Sequence, residues 1–281
     1  MKTIWVYENI QEDVEFYSKL NVALLLASVT LWKKNHPTFE CVLYCDSMTQ
    51  SLLEELQVTH LWDSLINYKH TLNINRSVFW ACNKVKVLSE QTEPCIILDH
   101  DSLVYKPMHQ YLKNDVLVSN LEDGKGYYPG NLDKYVKQLD YKPRWKSDSL
   151  NVSFLYFPDP QFLNLYSSTS LKMMEDFTKM GAPNSQYLIF AEQLLLRHLL
   201  DRENIPYKSL LSMYWDCDKW DWGKEHSKGI WGPSEYLLYY HHYGPLKTYV
   251  SNDSEWYKKE MEMLFNCINI KGLDLSSVNN K

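Results

Sequence analysis

This chain of 281 residues has no basic tail and no block of like charge, and its net charge is −6. Electrostatic attachment to nucleic acid needs a clustered positive face, so the charge pattern argues against that class. No apolar h-region or small-residue cleavage site follows the start MKTIWVYENIQEDVEF, and no signal peptide is expected. The longest apolar stretch, Val22 to Trp32, is too short to span a bilayer, so no membrane segment is expected. None of the six cysteines forms a C-x-x-C pair, and most lie within apolar runs, where a thiol behaves as a small buried hydrophobe. A reduced, cytoplasmic protein follows, in which the sequons at Asn75, Asn151 and Asn252 carry no glycans. Glycine is scarce at 9 residues; internal repeats, low-complexity tracts and dividing linkers are absent.

What the chain does have is apolar and aromatic mass. Hydrophobic residues make up 45%, enough for a sizeable core, and 21 tyrosines and 10 tryptophans supply packing or stacking surfaces. Its first half alternates short β-branched runs with helical ones. Strands are expected at Thr3–Tyr7, Phe39–Cys45, Val58–Trp62, Cys95–Leu98, Val116–Asn120 and Asn151–Phe157. Helices are expected at Phe16–Lys34, Ser47–Leu56 with Ser47 as N-cap, Ser77–Ser89, Gln161–Met180, Glu192–Asp201 and Glu255–Asn266. This rhythm implies an α/β fold with helices on both faces of a sheet. Residues 124–130 read as a loop. The segment from Trp215 to Pro233, rich in Trp, Asp and Gly, reads as a long irregular stretch at a functional edge.

Two constellations carry chemistry. In open α/β sheets ligands bind beyond the carboxyl ends of strands, where Asp99 and Asp101 follow the apolar run CIIL. In extended backbone, residues i and i+2 point to one side, so both carboxylates can reach one ion. Hard oxygen donors suit Mg²⁺ or Mn²⁺, which bind the phosphate oxygens of a substrate. The second is HHYGPLK, His241 to Lys247, behind the aromatic run from Tyr236 to Tyr240. Neutral histidine ligates Mn²⁺, Gly244 admits a ligand close to the backbone, and Lys247 offers a point charge to a phosphate.

Together these patterns resemble the GT-A-fold glycosyltransferases, especially the glycogenin-like family 8 enzymes. There a strand ends in D-x-D and a distant H-x-x-G-P-x-K follows. Asp99 and Asp101 match the first motif; His241, Gly244, Pro245 and Lys247 match the second. The resemblance implies a GT-A-type, Rossmann-like mixed sheet flanked by helices, covering residues 1–250. Residues 251–281 would be a C-terminal helix and tail of the same domain or an appendage. It implies Mn²⁺ (or Mg²⁺) on Asp99, Asp101 and His241, with His242 as rival ligand, and donor diphosphate on Gly244 and Lys247. Asn151 matches an asparagine near the donor sugar, although Ser153 stands where glycine is usual. Glu192 and Gln193 occupy the place of an Asp-Gln pair near the reacting sugar. Lys84, with Arg76 as rival, matches a basic residue that reaches the donor, and Val6 and Tyr7 end the strand that lines the uracil pocket. The family's proline and tryptophan after the last lysine are replaced here by Thr248 and Tyr249.

The expected reaction is metal-dependent transfer of a sugar from a nucleoside diphosphate sugar, UDP by resemblance, with retention. In an inverting enzyme Glu192 becomes the base, whereas under retention Glu192, Gln193 and Asp101 form the catalytic set. The acceptor is a glycan, a protein or a modified nucleic-acid base, with Trp215, Trp220 and Trp222 as stacking candidates. A non-catalytic carbohydrate-binding or scaffold protein of the same fold is the rival from another class. A Mg²⁺ phosphoesterase fits less well, because Ser102, Leu103 and Val104 continue as strand after the aspartates.

Overall fold

A computed structural model describes residues 1–8, 19–69, 71–122, 149–210, 214–215, 239–241, 254–276 and 278. Along the chain these form β1 (Lys2–Tyr7), α1 (Lys19–Asn35), β2 (Glu40–Cys45), α2 (Ser47–Glu55), β3 (Ser64–Asn67), α3 (Cys82–Ser89), β4 (Cys95–Leu98) and β5 (Ser102–Val104). Then come β6 (Val116–Glu122), β7 (Ser149–Phe157), α4 (Pro160–Lys179), α5 (Gln186–Ile189), a π-helical turn at Phe190–Leu194 and α6 (Leu195–Glu203). Last are β8 (Tyr207–Ser209), β9 (Tyr214–Trp215), β10 (Tyr239–His241) and α7 (Ser254–Ile268). They divide into two compact units: Met1–Lys69 with Ile96–Tyr111 and Trp220–Lys281, and His70–Cys95 with Leu112–Lys219.

In the first unit the strands run in the order β3-β2-β1-β4, and β1, β2 and β3 are parallel. Parallel strands bury both faces, which is why β1, β2 and β4 are near-continuous apolar runs. Helix α1 is buried almost all round, from Leu20 to Trp32, as befits a helix covered on several sides. It packs against β5 and α7. β5 leaves the main strand order and pairs antiparallel with β10.

Two expectations fail in this unit. Val58–Trp62 is no strand: it holds a 3-10 turn at Thr59–Leu61, and the strand is the less apolar Ser64–Asn67. β3 is the outermost strand of its unit and only half-buried, so it needs few apolar residues, while Val58 and Trp62 are buried anchors of the turn. The N-cap of α2 is Asp46, not Ser47; its carboxylate accepts from the Thr49 amide at 2.7 Å.

In the second unit β6 is flanked by antiparallel β7 on one edge, with β8 and then β9 parallel along the other. Asp159 caps α4, and Pro160 opens its first turn. An aromatic core of Phe79, Phe157, Phe162, Tyr166, Phe177, Tyr187 and Phe190 joins α4 to β7 and the π-helical turn. The helix expected from Ser77 begins only at Cys82; Val78 and Phe79 instead donate to the Asn75 carbonyl in a tight turn.

Candidate functional site

In the first unit the pair of aspartates does not extend β4. The Ser102 amide donates to the Asp99 carbonyl at 3.0 Å, closing a four-residue turn between β4 and β5. The expectation that the two aspartates continue an extended strand is therefore corrected: both lie in a turn between β4 and β5. Asp99 is half-buried and Asp101 is 6% exposed. The turn's middle residue, His100, packs edge-on against Tyr7, ring centroids 5.0 Å apart. Tyr7 is buried at the end of β1 and Val6 is half-buried beside it.

β10 brings the second motif to this turn through its backbone. Tyr239, Tyr240 and His241 pair with Val104, Leu103 and Ser102, so His241 lies opposite the residue that follows Asp101. Two carboxylates and an imidazole are donor types that suit a divalent cation such as Mn²⁺ or Mg²⁺, and the pairing of β10 with β5 sets the His241 backbone opposite Ser102, one residue after Asp101. Among the described side chains, which do not include that of His241, no three His, Cys, Asp or Glu residues gather around one point. His242, Gly244 and Lys247 lie outside the described residues, as do Trp220 and Trp222; Trp215 is placed by its backbone alone, opposite Glu122.

A second cluster lies wholly within the second unit. Lys84 on α3 pairs with Glu192 on the π-helical turn, Nζ to Oε1 2.7 Å, with side chains only 11% and 7% exposed. The same ammonium reaches the Val152 carbonyl at 3.4 Å. Both partners sit at backbone irregularities. The register of β6 and β7 shifts between Val118↔Leu155 and Asn120↔Asn151, leaving three residues of β7 opposite one of β6. Such bulges re-aim side chains and free carbonyls. The π-helical turn likewise disturbs the helical ladder. Its Ala191 carbonyl accepts from Ser170 at 2.8 Å, and its Glu192 carbonyl from Tyr166 at 3.2 Å.

Asn151 is locked at the bulge. Its Oδ1 accepts from the Ser153 amide at 3.0 Å, the Ser153 hydroxyl at 2.6 Å and the Ser119 hydroxyl at 3.0 Å, while its Nδ2 donates to Glu122 at 2.6 Å. The serine that replaces the usual glycine thus fixes the asparagine's orientation. Gln193, next to the ion pair, has its buried Oε1 without a hydrogen-bond partner among the described residues. An orphaned buried acceptor in a polar cluster marks a place for a ligand or water. Sequence reasoning missed Ser119, Glu122, Tyr166 and Ser170, whose roles arise from contacts far along the chain.

The five described cysteines are free, and burial pushes Cys41 and Cys45 up to about 12, which fits inert packing groups. No described helix is long and apolar enough to cross a membrane.

The mixed α/β fold is that of a class, the GT-A-like glycosyltransferase fold, as its likeness to solved structures shows. The galactosyltransferase LgtC in complex with donor and acceptor sugar analogs matches with a TM-score of 0.52 at 10% identity, covering 99% of this chain and 100% of that one. The glycosyltransferase GlyE of Streptococcus pneumoniae TIGR4 matches with a TM-score of 0.51 at 11% identity, over 95% of this chain and 62% of that one. The bifunctional glycosyltransferase WbbM matches with a TM-score of 0.53 at 9% identity, over 98% of this chain and 50% of that one. The chain thus spans less than two thirds of GlyE and half of WbbM. Within this fold class the chain belongs to DUF6734, a family of unknown function, which matches residues 2–262. No curated protein sequence matches it significantly.

Proposed function

We propose that this protein is a metal-dependent glycosyltransferase that moves a sugar from a nucleoside diphosphate donor, UDP by resemblance, to a glycan, protein or modified nucleic-acid acceptor. The observation that carries the reading is the register of β10 on β5, which sets His241 against the turn holding Asp99 and Asp101. Mn²⁺ (or Mg²⁺) bound by these residues would supply positive charge to a leaving diphosphate. Gly244 and Lys247 add a close backbone approach and a cation for the same phosphates. Tyr7, held against His100, and Val6 are assigned to the nucleobase.

The roles of the second cluster follow from its chemistry. Glu192 faces the Lys84 ammonium at 2.7 Å, so a negative charge on this carboxylate would not be left as a lone buried ion. That suits stabilisation of an oxocarbenium-like centre, and hence retention, better than proton abstraction. Asn151 would offer an N–H to a ligand, because its carbonyl already accepts from the Ser153 amide and the Ser153 hydroxyl. Gln193 supplies the adjacent amide. The fold of the LgtC complex with donor and acceptor sugar analogs supports sugar transfer over a scaffold role. A soluble cytoplasmic enzyme accords with the cysteine pattern.

Thermal shift with UDP, GDP and their sugars, with and without Mn²⁺, tests this reading. A transferase is stabilised by one nucleotide only when Mn²⁺ is present. No shift with any nucleotide would overturn it in favour of the scaffold, and a shift with Mg²⁺ and inorganic phosphate alone would favour a phosphoesterase.

A further inference from the structure

The turn that carries Asp99 and Asp101 is anchored from below by a hydrogen-bond chain of fully buried groups. The indole of Trp5, on β1, donates to the Ser28 hydroxyl at 2.9 Å. Ser28, on α1, donates in turn to the Ser102 carbonyl at 2.6 Å. An indole N–H can only donate and a carbonyl can only accept, so the direction of the hydroxyl proton is fixed. Ser102 is the node: its amide closes the turn on Asp99, and its backbone pairs with His241. Trp5, Ser28 and Ser102 are each 1% exposed or less, so water offers no substitute partner.

Alternate residues of a strand turn their carbonyls to the same edge. The carbonyls of Ser102 and Val104 therefore share one edge of β5, and both are taken by side chains of α1. Asn35 donates to Val104 at 3.0 Å, two residues beyond the node. The two contacts are alike in kind and differ in distance from the acidic turn.

We propose that Ser28, oriented by Trp5, is a positioning residue that holds Asp101 and His241 at the spacing a divalent cation requires. The inference rests on the proposed cation site at Asp99, Asp101 and His241. Ser28 touches neither metal nor substrate; it acts through Ser102. Small displacements matter because ligand geometry is set by the groups behind the ligands.

Mn²⁺ titration followed by electron paramagnetic resonance on the whole chain tests it, with circular dichroism to confirm folding. Wild type binds Mn²⁺. Ser28→Ala weakens binding about tenfold, the scale of a lost supporting bond, and changes the bound-ion line shape; Trp5→Phe gives a smaller loss, about threefold. Asn35→Ala, which frees the Val104 carbonyl, leaves affinity within about twofold. If Ser28→Ala does not fold, Ser28→Cys, with its weaker donor, carries the same expectation. Failure of wild type to bind Mn²⁺ would overturn the cation site and this inference with it. Wild-type binding with unchanged affinity in folded Ser28 and Trp5 variants, or an equal loss in Asn35→Ala, would overturn the positioning role alone.

Discussion

The acidic turn of the first unit and the polar cluster of the second each bury a carboxylate, Asp101 and Glu192, yet they are held differently. Asp99 and Asp101 are placed by backbone: they lie in a turn closed at Ser102, whose Cα stands opposite His241 in the pairing of β5 with β10. Lys84, Glu192 and Asn151 are gathered by side chains: an ion pair at 2.7 Å and four hydrogen bonds on one amide. The first arrangement is the one proposed to receive a divalent cation. The second balances its own charge and fixes a donor and an acceptor in place. A site of the first kind loses function when its carboxylates change, whereas one of the second kind loses stability as well.

The largest expected effect is on turnover. Asp101→Ala should lower metal-dependent donor turnover by about 10²- to 10³-fold, the scale of removing one group that stabilises a transition state; steady-state kinetics with a UDP-sugar measures it. Undiminished turnover would break the contrast at its first term.

Next in size is the ion pair. Glu192→Ala removes the carboxylate that faces the buried Lys84 ammonium and should cost about 3–5 kcal/mol in urea unfolding. The double replacement Lys84→Met with Glu192→Leu should recover most of that stability while activity stays lost. A stable Glu192→Ala would mean that the pair is not buried in solution.

Among the described residues each unit buries one histidine, His36 in the first and His198 in the second, which allows a matched comparison of their acid sensitivity. His36 accepts from the Met108 amide at 2.7 Å through Nε2 and faces the Trp32 carbonyl through Nδ1 at 3.2 Å. It stacks on Trp32, with His109 nearby. Burial lowers it to about 4, and burial likewise lowers His198 of the second unit to about 4, between Asp201 and Arg197. Both are neutral in the fold and take up a proton more readily when unfolded. Above pH 6.5 neither contributes a pH slope. As pH falls from 6.5 towards 4 the unfolded state binds more protons, so stability is lost, by about 3 kcal/mol per histidine. Urea unfolding at pH 7 and pH 4 checks this: His36→Gln and His198→Gln should each flatten the decline. A decline unchanged in both variants would assign it to other groups.

The smallest effects concern chain reversals. Gln57 in the first unit and Asn204 in the second both adopt left-handed backbone, with φ of 57° and 55°. Glutamine pays more for that conformation than asparagine. Gln57→Gly should raise stability by about 1 kcal/mol and Asn204→Gly by less; thermal melts rank the two.

The sequence made the central strands legible because runs such as CIIL and ECVLYC can only be buried. It misplaced β3 because an edge strand needs little apolar content, so the richer VTHLW drew the assignment. The acidic motif and its distant partner at His241 were visible as spacing, yet their turn was not, since one hydrogen bond from Ser102 decides it. Glu192 was read in a regular helix, and the π-helical turn that exposes its carbonyl to Tyr166 has no marker in the sequence. Ser153 looked like a departure from the family pattern. Its bonds to Asn151 show what the replacement does locally.

The central claim is a cation site for a nucleoside diphosphate at Asp99, Asp101 and His241. Calorimetric titration of the whole chain with UDP, in Mn²⁺ and again in EDTA, tests it most directly. Binding in Mn²⁺ should disappear in EDTA and in Asp101→Ala; equal binding in EDTA, or none in either condition with any nucleoside diphosphate, would rule the cation site out.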